Sequence, residues 1–419
     1  MTTATAQRVV IVGASLAGAT AAFALRDAGF DGDIILVGAE TALPYERPAL
    51  SKSYLAGDVE FDKLLVRSAD AYDTHRITLR LGQVATGLDT DRRLVTLTSG
   101  EQLKYDHLVI ATGASNARPP IPGIDLAGVH QLRTAAEADA LRAELPELKR
   151  AVVVGMGFIG CEIAATLTAL GVDVAAVDPT PGPLWGPLGP ELSGVVRRWH
   201  EARGVRLING VGVTAFLPHE GGTKVAAVEL ADGRRLDAEL VVVGVGVRPA
   251  TGWLVEAPLH LVGTAVGVDG EGRTNLPDVY AAGDVTATWD ESLAAHVRHE
   301  HWANAIDQGQ RVARAIIGVA QPPPVVPSFW SDQYDRSMQY AGEHDGDCDL
   351  VVRGDLSQPD APLVAFFLRA GTLTAVLTVN SGKELRRAQR LIGHPVDPAA
   401  LADPDVDLRQ LPTLAAAAH

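Results

Sequence analysis

The chain carries the same glycine-rich pattern twice. The first copy reads RVVIVGASLAGATAAFALRDAG from Arg8 and closes on DIILVGAE at Glu40. The second reads RAVVVGMGFIGCEIAATLTALG from Arg150 and closes on DVAAVDP. Each is a β-branched run, a glycine turn, an alanine-rich amphipathic stretch, a second apolar run and an acidic residue. That order predicts a β-α-β unit whose helix N-terminus faces a pyrophosphate. Two copies predict two dinucleotides, and the economical reason to hold two is electron transfer between them.

The residue types at the turns support this. In the first copy Gly13 permits the tight turn and Gly18 lets helix and strand pack closely, while Ser15 takes the place of the middle glycine. Its hydroxyl is small enough for the turn and able to bond a phosphate. The string is not the G-x-S-x-G hydrolase elbow, because position 17 is alanine. The second copy is complete, with Gly155, Gly157 and Gly160. Asp178 ends its second strand at about the 20-residue offset of a ribose 2′-OH acceptor. A carboxylate there repels a 2′-phosphate. No basic residue follows until Arg197, beyond a loop expected over 179–194, so NADH is favoured over NADPH. Glu162, in the first turn of the second helix, reads either as a complement to the helix dipole or as a carboxylate at the nicotinamide end.

Of 419 residues 47% are hydrophobic, enough for several cores, and the formal net charge of −15 argues against a nucleic-acid partner. The two cysteines, Cys161 and Cys348, form no CxxC motif, so neither a disulfide framework nor a metal site is expected, and the reducing cytoplasm is the expected compartment. No run is long and unbroken enough to span a membrane. His296, His299 and His301 share no single helical face and are not read as metal ligands. The expected fold is α/β: two Rossmann-like dinucleotide-binding domains and a small C-terminal α+β domain. The expected boundaries are 1–115 with 248–322 for a discontinuous first domain, 116–247 for the second and 326–419 for the third.

Two further features carry chemistry. Asp284, in AAGDV, follows a buried strand and a glycine; it reads as a helix cap or, beside two dinucleotides, as a ligand of a flavin ribitol. Arg47 and Lys52, in YERPALSK, are either solvated cations or charges near a flavin N5 or pyrophosphate.

GASLAG, PYERPALSK, VIATGA, GMGFIGCE, GVGVRP, NLPDVYAAGD and PSFWSDQY, in this order, resemble the FAD-dependent NADH:ferredoxin reductases of bacterial oxygenase systems, the putidaredoxin-reductase-like branch of the glutathione-reductase-like flavoproteins. The resemblance spans nearly the whole chain. It implies FAD on the first fingerprint and NADH on the second. By position it implies FAD contacts at Gly13, Ala14, Ser15, Gly18, Arg47, Lys52, Val84, Arg133, Asp284 and Trp302, and NADH contacts at Gly155, Gly157, Gly160, Glu162, Asp178 and Gly246. It implies that Glu300, Trp302 and Trp330 line the isoalloxazine, and that Lys52, Glu162, Glu300 and Trp330 serve the reaction. The acidic ribose ligand usual in the family aligns with Ala39, with Glu40 one place later.

The chain lacks the dithiol of disulfide reductases, so electrons must leave the flavin directly, and a one-electron iron–sulfur partner is the natural exit. The expected activity passes electrons from NADH through FAD to a ferredoxin that feeds a cytochrome P450 or ring-hydroxylating oxygenase. A rubredoxin partner and a flavin-bound binding protein resembling apoptosis-inducing factor are the alternatives. Arg311, Arg314, Lys383, Arg386, Arg387 and Arg390 form the basic positions expected to steer an acidic ferredoxin.

Overall fold

A computed structural model describes residues 7–291, 293–358 and 360–411. The chain divides into two units. One comprises residues up to 47, 60–115 and 247–325; the other 48–59, 116–246 and 326 onward.

The first unit is built on a five-stranded parallel sheet in the order Val279–Ala281, His107–Ile110, Arg8–Val12, Asp33–Gly38, Ile77–Leu81. Arg8–Val12 is apolar on both faces because both are covered. Val9 and Ile11 pack with Phe23, Leu25 and Val312 from helices, whereas Val10 and Val12 pack with Val95, Leu97, Val266 and Val285. Helix Leu16–Asp27 lies close against helix Trp302–Ile317. Gly309 makes that approach possible, since a Cβ there would stand 2.7 Å from the carbonyl oxygen of Ala17. The strand flanked on either side by its sequence neighbours' partners is Arg8–Val12, so the chain reverses its winding at the end that carries Gly13.

The second unit repeats this plan. Its parallel sheet runs Arg206–Asn209, Asp173–Asp178, Arg150–Val154, Leu240–Val243, Val129–His130. A three-stranded antiparallel sheet packs on it through Phe216 and Val228. The C-terminal part is a five-stranded antiparallel sheet, Ser328–Gln333, Arg336–Gly342, Thr372–Val379, Leu363–Arg369, Asp349–Arg353, cored by Phe366, Val376, Leu385 and Leu401. Buried Arg353 donates to the carbonyls of Ala400, Leu401 and Val406, and Arg390 to those of Leu408, Arg409 and Leu411. These bonds fasten the end of the described chain to its sheet. Among the described residues no helix is long and apolar enough to cross a membrane.

One expected element is corrected. The proline- and glycine-punctuated stretch 179–194 is not all loop; helix Trp185–Glu201 begins inside it. Gly189 (φ 75°) breaks the backbone and Pro190 restarts the helix, a position where proline's missing N–H costs nothing.

Candidate functional site

In the first unit Gly13 (φ +125°) donates to the carbonyl of Val37 at 2.8 Å, and a Cβ there would stand 1.9 Å from the oxygen of Ala111. A Cβ on Gly18 would stand 1.9 Å from the oxygen of Gly13. Both positions require glycine. Ala14 is nearly as constrained, because its Cβ already abuts Gly38. Ser15 is the N-cap of helix Leu16–Asp27, yet its side chain makes no capping bond. The hydroxyl stands at the helix N-terminus without a capping role. The loop therefore fits a dinucleotide: crowded glycines shape the turn and a polar side chain stands at its rim.

At the end of strand Asp33–Gly38, Ala39 is exposed and offers no polar group. Glu40 takes the hydroxyl of Tyr45 at 2.6 Å and Arg47 Nη2 at 2.7 Å, and the Arg47 guanidinium lies 5.1 Å from the Tyr45 ring centre. Glu40 and Arg47 are thus brought together as a pair. Val84 is exposed, with its amide and carbonyl engaged by Thr98. Asp284 is half-buried after Gly283, whose φ is +83°. Gln308 Oε1 holds this turn, accepting from Gly283 N at 2.6 Å and Thr286 Oγ1 at 3.0 Å, while Gln308 Nε2 donates to Thr288. Trp302 opens the same helix, and Glu300 pairs with Arg298 at 2.5 Å. His296 lies on a strand against Trp289 and His260.

In the second unit Gly155 (φ +92°) and Gly160 repeat the crowding, with Cβ positions 2.3 Å from Gly244 O and 1.9 Å from Gly155 O. Gly157 differs. Its backbone is ordinary (φ −73°), and nothing lies within 4 Å of where its Cβ would be. That open space at the start of helix Phe158–Ala169 is the room a pyrophosphate needs. Asp178, 8% exposed, receives Met156 N at 2.6 Å, Thr180 N at 2.7 Å and Thr180 Oγ1 at 2.6 Å. It therefore braces the glycine turn. Arg197, distant in sequence, is folded back by its helix so that Nη2 meets the carbonyl of Pro181. The loop after Asp178 does have a cation, contrary to the sequence reading. Gly246 (φ +94°) accepts from Ala117 N. Arg133 lies in this unit, beside the Thr134–Glu137 capping box.

Glu162, 4% exposed, is the centre of a buried polar cluster. Its Oε2 takes Ser51 Oγ at 2.5 Å and Lys52 Nζ at 2.9 Å; its Oε1 takes Ser331 Oγ at 2.7 Å. The segment 48–59 belongs to this unit and is fixed there. Thr166 Oγ1 donates to Ser51 O, Tyr54 donates to Asp139 at 2.6 Å, and Arg142 covers the Tyr54 ring at 4.8 Å. Trp330, 38% exposed, is next to Ser331 on strand Ser328–Gln333. Cys161 is fully buried and burial pushes its thiol well up, so it is inert beside Glu162.

Three contributors were not singled out from sequence: Ser51, Ser331 and Gln308. The serines sit inside the motifs PYERPALSK and PSFWSDQY, which gave a signal; Gln308 gave none. Arg311 is corrected. It is 8% exposed, bound to Asp307 at 2.6 Å and to the carbonyls of Pro322 and Pro323, so it clamps the proline segment and offers no docking surface. Arg390 is likewise committed to the tail carbonyls, and Arg387 pairs with Glu384. Lys383 and Arg386 remain exposed.

The family described as pyridine nucleotide-disulphide oxidoreductase matches residues 7–309, and the reductase C-terminal family matches 328–412. The chain is 39% identical over 407 residues to a ferredoxin–NAD(P)(+) reductase of Sphingomonas, covering 96% of each. It is 37% identical to the ferredoxin–NAD(+) reductase component of the biphenyl dioxygenase system of Paraburkholderia xenovorans, covering 96% of this chain and 98% of the relative. Among solved structures, the reductase of the covalent putidaredoxin reductase–putidaredoxin complex superposes with a TM-score of 0.91 at 34% identity, over 96% of this chain and 97% of the other.

Proposed function

Because this chain belongs to the pyridine nucleotide-disulphide oxidoreductase family, we propose that it is an NADH:ferredoxin oxidoreductase that passes electrons singly to an iron–sulfur ferredoxin serving an oxygenase. The observation that carries the reading is the pair of glycine loops, each crowded at its outer glycines, one with open space at Gly157 and one with an unused Ser15 hydroxyl at its rim. FAD when bound supplies the step between two-electron and one-electron chemistry. The balance is one NADH oxidised to NAD+ and a proton, with two ferredoxins each reduced by one electron.

In this reading residues 1–115 and 248–322 hold FAD, 116–247 hold NADH, and 326–419 complete the reductase. Gly13, Ala14, Ser15 and Gly18 cradle the FAD pyrophosphate, and Asp284, on the turn held by Gln308, accepts from the ribitol. Glu40, not Ala39, is the acid available to the adenosine ribose, and Arg47 steadies it. Val84, Arg133, Trp302, Glu300 and Trp330 are further flavin-side contacts, and Gly246 completes the nicotinamide side. Asp178 accepts from the adenosine ribose of NADH and disfavours a 2′-phosphate. Lys52 provides the cation that favours the reduced, anionic flavin, and Glu162 fixes its ammonium. The compartment is the cytoplasm, where NADH is regenerated.

The test is direct. Purified chain incubated with FAD should retain about one per polypeptide and should reduce cytochrome c with NADH only when a [2Fe–2S] ferredoxin is added. A folded chain that takes up no FAD would sink the reading. Cytochrome c reduction indifferent to ferredoxin would sink the assignment of the partner.

A further inference from the structure

The motif PSFWSDQY contributes more than its tryptophan. Ser331 Oγ donates to Glu162 Oε1 at 2.7 Å and accepts from Gln333 Nε2 at 3.2 Å. With its amide nitrogen so used, Gln333 offers only Oε1 to His200 Nε2, 3.2 Å away. This assigns the ring proton to Nε2 and leaves Nδ1 to accept the Tyr334 hydroxyl at 2.9 Å. The result is a continuous chain in which every link donates in the same sense: Tyr334 to His200, His200 to Gln333, Gln333 to Ser331, Ser331 to Glu162. Glu162, Ser331, Gln333 and His200 are all at most 4% exposed. Bonds aligned head to tail polarise one another in a low-dielectric interior.

A second observation shows that the fold spends conformational energy on this arrangement. Tyr334 adopts φ 58°, a left-handed conformation that a bulky residue rarely takes. It is held there in the hairpin between strands Ser328–Gln333 and Arg336–Gly342 by an edge contact with the His200 ring, centroids 5.3 Å apart, and by the Arg203 guanidinium 4.4 Å over its face. The neighbouring Phe329 packs on Phe158, the first residue of the helix that carries Glu162, at 4.8 Å. The motif is thus held at its Phe329 end by helix Phe158–Ala169 and at its Tyr334 end by His200 and Arg203, in and just after helix Trp185–Glu201.

We infer that Ser331 and Gln333 are positioning residues of the Glu162–Lys52 pair: the donor chain offsets part of the Glu162 charge and fixes its orientation, and so sets how much of the Lys52 charge is left to act. The inference rests on the proposed role of Lys52 in favouring reduced flavin. Removing Ser331 leaves a carboxylate with one donor fewer. Its uncompensated field then cancels more of the Lys52 charge, which disfavours the anionic reduced flavin and lowers the flavin midpoint potential. Ser51 and Lys52 meet Glu162 at Oε2 and Ser331 meets it at Oε1, so Ser331→Ala removes the Oε1 bond and leaves those at Oε2.

The experiment uses the full chain loaded with FAD and measures the midpoint potential, the rate of flavin reduction by NADH and the NADH Kd. Lys52→Met should lower the potential. Ser331→Ala should lower it by a smaller amount and slow flavin reduction about three- to tenfold, the size of one lost hydrogen bond, with NADH Kd within about twofold. Gln333→Met breaks the chain one link earlier without touching Glu162 and should do the same more weakly. In a Glu162→Gln background Ser331→Ala should add nothing. A silent Lys52→Met overturns the role given to Lys52 and the inference with it. An effective Lys52→Met beside silent Ser331→Ala and Gln333→Met overturns the inference alone, as does an undiminished effect of Ser331→Ala without the Glu162 carboxylate.

Discussion

Asp178→Asn tests cofactor choice with the least disturbance to the fold. Asp178 does two jobs, and the simpler alanine change would confound them. Its carboxylate receives three short bonds, from Met156 N, Thr180 N and Thr180 Oγ1. Alanine would strand the buried Met156 amide and loosen the glycine turn. Asparagine removes the charge and keeps one acceptor oxygen, which serves either Met156 N or the Thr180 donors, so the donor left facing its NH2 costs about 1–3 kcal/mol. The gain for NADPH is electrostatic. Two unit charges 4 Å apart interact by about 4 kcal/mol at an effective dielectric of 20 and by about 1 kcal/mol in water. At this rim position about 2 kcal/mol is a fair value, which is about thirtyfold in selectivity. Arg197 already stands at the Pro181 carbonyl, so the variant has a cation at the loop without a second mutation. The assay is anaerobic reduction of the bound flavin by each nucleotide, followed at its visible band. The ratio of kcat/KM for NADH over NADPH should fall at least tenfold, while the melting temperature falls by only a few degrees. A ratio within about twofold of the parent would refute the claim that the Asp178 charge discriminates.

The remaining expectations follow from single residues. Arg311→Ala should destabilise the chain by about 2 kcal/mol, because it frees Asp307 and two proline-segment carbonyls, and should lower ferredoxin and ferricyanide reduction together; selective loss of the ferredoxin reaction would restore it to the docking surface. Asp284→Ala should weaken FAD retention about ten- to hundredfold on dilution, as one lost charge-assisted bond does, and leave NADH affinity nearly unchanged. Burial lowers His200 to about 4, whereas the unfolded residue protonates near 6.5, so unfolding takes up a proton between these values and about 3 kcal/mol of stability is lost as pH falls through that window. His200→Gln should flatten that part of the Tm-against-pH curve; an identical acid limb in both proteins would show that the histidine is not held neutral.

The two β-α-β units were legible because their signal is local. Turn glycines, β-branched runs and alanine spacing all act within one fingerprint, and each outer glycine is explained by a carbonyl that leaves no room for a Cβ. The helix over 185–201 was missed for a physical reason: proline and glycine usually end helices, but here Gly189 takes a positive φ and Pro190 sits where a helix can restart. That error propagated. Reading the stretch as loop made Arg197 look remote, when the helix returns its guanidinium to Pro181. The basic residues misled in the same way. Arg311 and Arg390 are cations in sequence, but structurally each consumes its donors on backbone carbonyls.

Sequence showed where Lys52 and Glu162 lie and left the meaning of Glu162 divided between a dipole complement and a functional carboxylate. The geometry argues against the first of these. A residue that only complements a helix dipole needs the exposed first turn and no other partner. Glu162 is instead buried and takes donors from two segments far from it in sequence, Ser51 with Lys52 on one side and Ser331 on the other. Burying a carboxylate is costly unless its lone pairs are satisfied, and a helix of this composition would be more stable with an apolar residue there. The motifs PYERPALSK and PSFWSDQY each supply part of that satisfaction. They read as independent signatures along the chain, yet they are coupled through one carboxyl group, which Ser51 meets at Oε2 and Ser331 at Oε1.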